Sequence, residues 1–248
     1  MSKVTVITAT VGNPRLRDNL LSVHNQTHKD VQHLVFIDGD HPHAALECDK
    51  AKSNGWKGDV IQLPKSVGAG GWNGHRMYAA GPFLAEGDFV MWLDDDNSLR
   101  EDHIESLLKV IEQGNDWAYS FRNIVDADGE FLCQDNCESL GKWASVLHEK
   151  DFFVDVNCYL VPTKIAIHLG PAWYRKFRVP GQPEVDRVLS ASLMQNGLKF
   201  DTTYSYTVDY TVGNTERSVQ IEFFHRGNKE MRRRHPDGLP WKIMELPL

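Results

Sequence analysis

The sequence predicts an α/β protein whose mostly parallel sheet is sandwiched by helices. Short, almost continuously apolar runs alternate with helix-length segments through the first half, and such runs are typical of parallel strands buried on both faces. Polar residues follow several of these strands, at the edge where open parallel sheets bind ligands. With 248 residues, of which 41% are hydrophobic, the chain is long enough to bury a large core in one domain.

Four strands and four helices are predicted in the first half. The strands are expected over residues 3–10, 33–38, 59–64 and 89–93. A helix from Pro14 to about Gln26 and one over 44–52 follow the first two strands, and a glycine-rich stretch leads into a third helix that ends near Gly87. The fourth helix has an apolar face made by Ile104, Leu107, Leu108 and Ile111.

The second half, from residue 116, has a different rhythm. WAYSFRNIV, a DADG turn and EFLC predict an antiparallel hairpin, and FFVDVNCYLVP (152–162) predicts another strand. A helix is predicted from Pro183 to Gly197. Beyond Lys199, alternating Tyr and Thr predict more strand, followed by a polar, basic tail without a clear period.

Composition excludes several classes of function. The net charge of −7 gives no general attraction to nucleic acid or anionic membranes, and the only local exception is HRGNKEMRRRH at 225–235. No apolar stretch is long enough for a membrane span, and the N-terminus lacks a signal-peptide pattern. We therefore expect a cytoplasmic protein with reduced thiols at its cysteines, which show no CxxC pair: Cys48, Cys133, Cys137 and Cys158.

Three successive carboxylates follow the fourth strand in WLDDDNSL. Two such charges about 4 Å apart repel by about 4 kcal/mol at an effective dielectric constant of about 20, which suggests that a cation is missing. The alternative is that Asp96, Asn97 and Ser98 form a turn that caps a helix near Glu101.

A second acidic residue, Asp38, lies at the end of the second strand, and this favours a binding site over a simple cap. Oxygen ligands suit Mg²⁺ or Mn²⁺, with a diphosphate completing the shell, and no P-loop or GxGxxG after a strand is present.

At this point the chain resembles the inverting, GT-A fold glycosyltransferases of family 2, which use nucleotide-diphosphate sugars. The resemblance rests on VTVITATVGNPRLRDNLLSVHNQTHKDVQHLVFIDGD, on AEGDFVMWLDDDNSLREDHIESLL, and on HLGPAW followed by PEVDRVLSASLMQNGLKF. It implies a single GT-A domain over residues 1–248. Residues 1–115 would form the nucleotide-sugar-binding half, and residues 116–248 the acceptor-binding half with the basic C-terminal tail.

The resemblance also implies roles for the acidic residues. Asp38 would read the nucleotide base, Asp95 would face the ribose, and Asp96 would bind the metal, although either a 94/96 or a 95/96 pairing fits the DxD spacing. Asp186 would be the catalytic base that deprotonates the acceptor hydroxyl; the alternative is that Glu184 and Asp186 only complement a helix dipole.

Other candidate residues are named with less support from the motifs. We expect Thr8, Ala9, Thr10, Gly70, Asn73, Arg76 and Asp94 to bind the nucleotide, His225 to complete the metal shell, and Trp173 and Glu184 to bind the acceptor. Departures from the family pattern include Val185, where the family often has Glu. The family's Arg-Asn pair should also fall near Tyr78 and Ala79, where it is missing.

The predicted function is therefore metal-assisted transfer of a sugar, with inversion, from a UDP- or GDP-sugar to an acceptor hydroxyl. A nucleotidyltransferase acting on a sugar phosphate and a non-catalytic sugar-nucleotide-binding module are the alternatives. Modification of a nucleic-acid base or a protein side chain, with the basic tail docking the acceptor, is a third. The sequence leaves open the donor base and sugar, the acceptor, and whether the chain forms a homodimer.

Overall fold

The computed structural model of the protein describes residues 2–177, 179–180, 182–214 and 218–242. Its strands are β1 (Val4–Thr10), β2 (Val31–Ile37), β3 (Asp59–Gln62), β4 (Phe89–Trp92), β5 (Ser98–Leu99), β6 (Trp117–Val125), β7 (Phe131–Gln134), β8 (Tyr159–Pro162) and β9 (Phe200–Thr211). Its α-helices are α1 (Leu16–His24), α2 (Pro42–Ser53), α3 (His75–Ala80), α4 (His103–Glu112), α5 (Thr163–His168), α6 (Gly170–Trp173), α7 (Val185–Gln195) and α8 (Ile221–Arg234). Within the described ranges, none of the helices is long and apolar enough to cross a membrane.

The strands form a nine-stranded sheet in the order β3-β2-β1-β4-β8-β6-β9-β5, with β7 paired to β6. The first half is parallel, as predicted, because β1 pairs in parallel with β2 and β4, and β2 with β3. Successive residues of β2 point to opposite faces of the sheet. Val35 and Ile37 pack against Leu16 and Leu20 of α1, whereas Phe36 belongs to the larger core on the other face.

The second half of the sheet is built around β6. This strand is antiparallel to β7 and β8 and parallel to β9, and the predicted hairpin is confirmed. The Asp126 carboxylate closes the hairpin turn by accepting hydrogen bonds from the amides of Asp128 and Glu130, each at 2.9 Å. Because β8 also pairs with β4, the two halves share one continuous sheet.

The strand predicted over 152–162 is wrong for most of its length. Only Tyr159–Pro162 forms a strand, and residues 156–158 form a 3-10 turn. The Asp155 carboxylate accepts a hydrogen bond from the Asn157 amide at 3.0 Å. Such local bonds from Asp side chains compete with the strand ladder, so the chain turns here instead of extending.

The prediction of a tail without periodicity is also wrong, because residues 221–234 form α8. Its buried residues, Phe224, Gly227, Asn228 and Met231, follow the i, i+3, i+4, i+7 spacing of a helix face. Two of the four are not apolar side chains, which hides the period in the sequence. Gly227 is required by close packing, since a Cβ there would lie 2.5 Å from the Cys137 sulfur.

Smaller differences concern where elements begin and end. Ser98 pairs with Asp209 in β5 instead of capping a helix, and α4 begins at His103 rather than near Glu101. The helix that follows the glycine-rich stretch ends at Ala80 and continues as a 3-10 helix over Gly81–Leu84. Helices α5 and α6 were not predicted; both are short, with too few residues to show a period.

A buried ion cluster fixes the second half of the molecule. The Arg122 side chain in β6 is 1% exposed; its Nε donates to Asp135 at 2.9 Å, its Nη2 to Glu138 at 2.7 Å, and its Nη1 to Asp155. Its guanidinium also lies over the Tyr210 ring, 4.2 Å from the centroid. The cluster therefore joins β6 to the loop after β7 and to the segment before β8.

We expect Arg122→Ala to destabilise the protein by about 3–5 kcal/mol, because it leaves buried carboxylates without their cation. Urea unfolding followed by circular dichroism measures this change. Arg233→Ala is the control, since Arg233 is exposed and its pairing with Glu230 lies on the surface. Equal unfolding midpoints for the two variants would show that the cluster does not stabilise the fold.

Candidate functional site

A cavity of about 760 Å³ opens at the carboxyl ends of β1, β2 and β4, the sheet edge at which ligands bind in this type of fold. Of the residues that the sequence predicts for the site, the cavity brings together Ala9, Thr10, Asp38, Asn73, Asp94, Asp95, Asp96, Trp173 and Asp186. Thr8, Gly70, Arg76, Glu184 and His225 are not among the residues that line it.

Asp38 organises one wall of the cavity. Its side chain is almost fully buried, with Oδ1 accepting from the Val67 amide at 2.6 Å and Oδ2 from the Gly68 amide and the Ser66 hydroxyl, both at 2.8 Å. A Cβ on residue 68 would lie 2.6 Å from this carboxylate, so only glycine allows the contact. Asp38 thus holds the loop that follows β3 against the end of β2.

Of the three candidate residues in the glycine-rich stretch and at the start of α3, which are Gly70, Asn73 and Arg76, only Asn73 lines the cavity. Asn73, with a positive φ of 46°, lines the cavity next to Gly74. Gly70 is exposed, and a Cβ at this position would meet no described atom within 4 Å, so its expected close approach to the nucleotide stays a prediction. The Arg76 guanidinium stacks on Trp72, 3.8 Å from the ring centroid, and donates to the Val67 carbonyl at 3.2 Å.

Asp94 is the most constrained carboxylate of the DDD stretch. Its Oδ1 accepts from the Tyr78 hydroxyl at 2.8 Å and its Oδ2 from the Asn157 side-chain amide at 3.0 Å. The Asp94 backbone amide in turn donates to Asn157 Oδ1 at 2.7 Å. Protein groups therefore use both Asp94 oxygens, and the choice between the 94/96 and the 95/96 pairing stays a prediction.

Asp95 and Asp96 have raised pKa values. Burial raises the pKa of Asp95 to about 6 and, with the charges of Asp94 and Asp95 added, that of Asp96 to about 8. Asn214 donates to Asp96 Oδ2 at 2.6 Å, and Thr10 bonds to Asp95. These partners are neutral, so they leave the negative charge uncompensated.

Asp186 approaches the same cavity from the first turn of α7. Burial raises the pKa of this carboxyl well above its ordinary value, and the charges of Asp155, Asp94 and Glu184 raise it further. Carboxylates from the end of β4 and from α7 therefore face one space, although about 90 residues separate them in the sequence.

Trp173 lines the cavity but is almost fully buried, packed against Tyr78 with ring centroids 4.9 Å apart. Only a small part of the ring is available to a ligand, which limits the expected stacking on a sugar. Glu184, the residue before α7, is half-buried outside the lining. The acceptor roles of both residues stay predictions.

Thr8 and His225 are not brought to the cavity. The Thr8 hydroxyl lies within hydrogen-bonding distance of His33 Nε2, at 3.1 Å, and of Asn19 Oδ1, at 3.4 Å. Thr8 is fully buried between α1 and β2, so its side chain does not reach the cavity. His225 lies on the exposed side of α8, next to the buried Phe224.

Several lining residues were not anticipated: His41, His75, Tyr78, Asn97, Val156, Phe177 and Tyr210. Asn97 was considered only as a cap; its Oδ1 accepts from the Thr211 amide at 2.9 Å and so joins the DDD turn to β9. Tyr210 enters from β9, whose parallel pairing with β6 could not be read from the sequence. His75 directly follows the glycine-rich stretch, and this position is the feature of the sequence that could have indicated its place in the cavity.

The residues at the end of β4 fit a divalent cation. Asp95 and Asp96 are partly buried acidic oxygens with neutral partners, as a hard cation prefers. Within the described part of the chain, no group of three or more His, Cys, Asp or Glu side chains could hold a metal ion without further ligands. Mg²⁺ and Mn²⁺ sites of transferases use one or two carboxylates together with substrate phosphate oxygens, so this arrangement fits a cation shared with a diphosphate.

The fold and this acidic cavity define an α/β protein of the GT-A type. Residues 5–136 match the family model described as glycosyl transferase family 2, which is more than half of the chain. The chain therefore belongs to glycosyl transferase family 2, and the resemblance noted in the sequence is confirmed.

Solved structures of S. aureus TarS share the fold. TarS 1–349 in complex with UDP-GlcNAc is 16% identical with a TM-score of 0.63, covering 99% of this chain and 68% of that one. The TarS 1–349 complex with UDP is 15% identical to this chain with a TM-score of 0.62, and the match covers 99% of this chain and 76% of the TarS chain. For TarS 1–349 alone, at 16% identity and a TM-score of 0.62, the match covers 84% of this chain and spans 60% of that chain. A search of curated protein sequences found no significant match.

The raised pKa of Asp96 gives a test of the charge at the site. The folded state holds this proton up to a pH of about 8, whereas an unfolded Asp releases it near pH 3.9, so the stabilisation is complete below pH 3.9 and is lost as the pH rises to 8. We therefore expect the melting temperature of Asp96→Asn, relative to the wild type in EDTA, to rise between pH 5 and pH 8 by about 2–4 °C or more.

Differential scanning fluorimetry measures this difference, and Asp128→Asn in the exposed hairpin turn is the control. Mn²⁺ added at pH 8 should raise the melting temperature of the wild type and leave Asp96→Asn nearly unchanged. A pH-independent difference between the Asp96 variant and the wild type would contradict the assigned charge state.

Proposed function

We propose that the protein transfers a sugar from a nucleotide-diphosphate sugar to an acceptor hydroxyl, with inversion at the anomeric carbon and with the help of a divalent cation. The observation that carries the proposal is the convergence of Asp95, Asp96 and Asp186 on one cavity at the carboxyl edge of the sheet. Membership of glycosyl transferase family 2 supports the reaction class.

For the donor we propose a UDP-sugar, with a GDP-sugar as the alternative. The TarS structures with this fold are complexes with UDP-GlcNAc and with UDP. In this chain, the end of β1 at Ala9 and Thr10, the Asp38 loop and Asn73 would surround the nucleotide. A carboxylate such as Asp38 can accept a hydrogen bond from the imide N–H of uracil, provided that it exchanges one of its loop partners for the base.

Asp96 would hold the cation together with the donor diphosphate, and Asp95 would face the ribose beside it, while Asp94 positions the turn. When bound, Mg²⁺ or Mn²⁺ supplies a Lewis acid that stabilises the charge developing on the diphosphate leaving group. The tight bonding of Asp94 to Tyr78 and Asn157 keeps the other two carboxylates aimed at the cavity. His225 is exposed on α8 and does not line the cavity, and its role in completing the metal shell is the least supported part of the proposal.

Asp186 is the base in this mechanism. The acceptor oxygen attacks the anomeric carbon on the face opposite the diphosphate, the bond to the diphosphate oxygen breaks, and Asp186 takes the hydroxyl proton. To act as a base Asp186 must be ionised, whereas burial and the charges of Asp155 and Asp94 raise its pKa. The helix dipole at the start of α7 favours the ionised form, and a cation bound at Asp96 would favour it further. A single displacement by this route inverts the anomeric configuration.

We propose that the two halves of a single domain have different roles, one in binding the donor and the other in binding the acceptor. Residues 1–115 provide the nucleotide-sugar side of the cavity, and residues 116–248 provide the base and the acceptor side. Trp173, which lines the cavity, and Glu184, two residues before Asp186, are the residues proposed to bind the acceptor. The cysteines are free, which supports the proposal of a reducing, cytoplasmic compartment.

We expect Asp186→Asn to bind UDP with wild-type affinity in Mn²⁺ but to lower kcat by about 10²–10⁴-fold, because Asn keeps the shape of the side chain and cannot take a proton. Calorimetry measures the binding, and release of UDP from the donor in the presence of acceptor measures the turnover. Asp116→Asn, which lies outside the cavity, is the matched control.

Full turnover by Asp186→Asn would remove Asp186 as the base. Release of pyrophosphate from a nucleoside triphosphate and a sugar phosphate would instead identify a nucleotidyltransferase. If the wild type binds UDP-sugars without releasing UDP in the presence of any acceptor hydroxyl, the protein is a binding module.

A further inference from the structure

His75, the first residue of α3, is anchored on one side of its ring. Its Nδ1 lies 2.6 Å from the carbonyl oxygen of Arg175, which is a hydrogen-bond acceptor only. Nδ1 must therefore carry a proton. The contact joins the start of α3 to the loop after α6, and it is reinforced nearby by the Phe177 amide, which donates to the Gly71 carbonyl at 2.6 Å.

The contact with Arg175 leaves the other ring nitrogen, Nε2, unused. His75 is 6% exposed and lines the cavity, yet within the described ranges no residue forms a hydrogen bond with its Nε2. Nε2 is not fully enclosed by the protein, so a ligand can reach it. Burial lowers the pKa of His75, against the opposing effects of the Arg175 carbonyl, Asp94 and Glu184. In the neutral ring, Nε2 presents a lone pair and accepts a hydrogen bond.

The His75 ring is connected by packing and by charge to both the DDD stretch and the start of α7. Its ring packs against Trp173 with centroids 5.8 Å apart, and Trp173 in turn packs on Tyr78, whose hydroxyl holds Asp94. The charges of Asp94 and Glu184 both act on the ring, from the DDD side and from the start of α7. A donor sugar bound between the diphosphate and Asp186 would lie against the wall of the cavity that His75, Trp173 and Tyr78 form.

We propose that His75 is a specificity-determining residue whose Nε2 accepts a hydrogen bond from a hydroxyl group of the donor sugar. The inference rests on the proposed function and deepens it, because it assigns recognition of the sugar, as distinct from the nucleotide, to the wall formed by His75, Trp173 and Tyr78. The bond is fixed in direction, since the Arg175 carbonyl holds the ring by its opposite nitrogen. A donor sugar without a suitably placed hydroxyl leaves Nε2 unpaired and binds more weakly.

Two variants separate the recognition role from a structural one. His75→Asn keeps an N–H close to the position of Nδ1, so it can still donate to Arg175, but it has no atom at the position of Nε2. His75→Gln reaches the position of Nε2 with an amide oxygen that can accept the sugar hydroxyl. His168→Asn is the matched control, because His168 Nδ1 is also 2.6 Å from a carbonyl oxygen, that of Lys164, on the exposed surface of α5.

The experiment compares the affinities of these variants for UDP and for UDP-GlcNAc, UDP-glucose and UDP-galactose, with Mn²⁺ and without acceptor. For the sugar nucleotide that the wild type binds most tightly, we expect His75→Asn to weaken binding about 3- to 10-fold, with UDP affinity unchanged and partial recovery in His75→Gln. His168→Asn should match the wild type. A deoxy analogue of the same sugar that lacks the paired hydroxyl should bind His75→Asn and wild type equally.

Several results would overturn the assignment. Equal losses for UDP and for the sugar nucleotide would make His75 a structural residue, and an unchanged affinity with a lowered kcat would make it part of the proton transfer. If His75→Asn binds the sugar nucleotide as the wild type does, only this inference fails. If the wild type binds no sugar nucleotide at all, the proposed function fails with it.

Discussion

The concentration of negative charge at one edge of the sheet is the constraint on which the rest of the structure depends. Consecutive carboxylates at the end of β4 share a cavity with Asp186, and Asp155 lies close enough to raise the pKa of that residue. Burial strengthens such repulsion because less water screens it. Other interactions in the fold must therefore offset the repulsion between these carboxylates and keep them close together.

A relay of hydrogen bonds provides this restraint without placing a cation in the cavity. The Asn157 side chain, fully buried, donates to Asp94 at 3.0 Å and to Asp155 at 2.7 Å, while Asp155 pairs with the buried guanidinium of Arg122. The neutral amide of Asn157 thus lies between the carboxylates of Asp94 and Asp155. Because Asp155 is fixed by Arg122, Asn157 also fixes the position of the DDD turn. Because Asn157 and Arg122 lie in the second half of the chain, this half positions the acidic site of the first.

The parts of the molecule that depend on local pattern can be predicted from the sequence. The buried strands of the first half, the hairpin and the position of the DDD stretch at a strand end follow from apolar runs and turn residues. Helix α8 was missed because Gly227 and Asn228 occupy two of its buried positions. The partners of the carboxylates were missed for another reason: Asn157 and Tyr78 reach Asp94 only through the folded sheet, and no spacing in the chain records that contact.

The division between Asp94 as a positioning residue and Asp96 as a cation ligand is the central claim, and a crystal grown with MnCl₂ and UDP tests it most directly. Anomalous scattering at the manganese absorption edge locates the ion without assumptions about its ligands. We predict a single peak between the Asp96 carboxylate and the UDP diphosphate, with Asp94 still bonded to Tyr78 and Asn157. A diphosphate bound with no manganese peak beside Asp96, or manganese held elsewhere, would contradict this account.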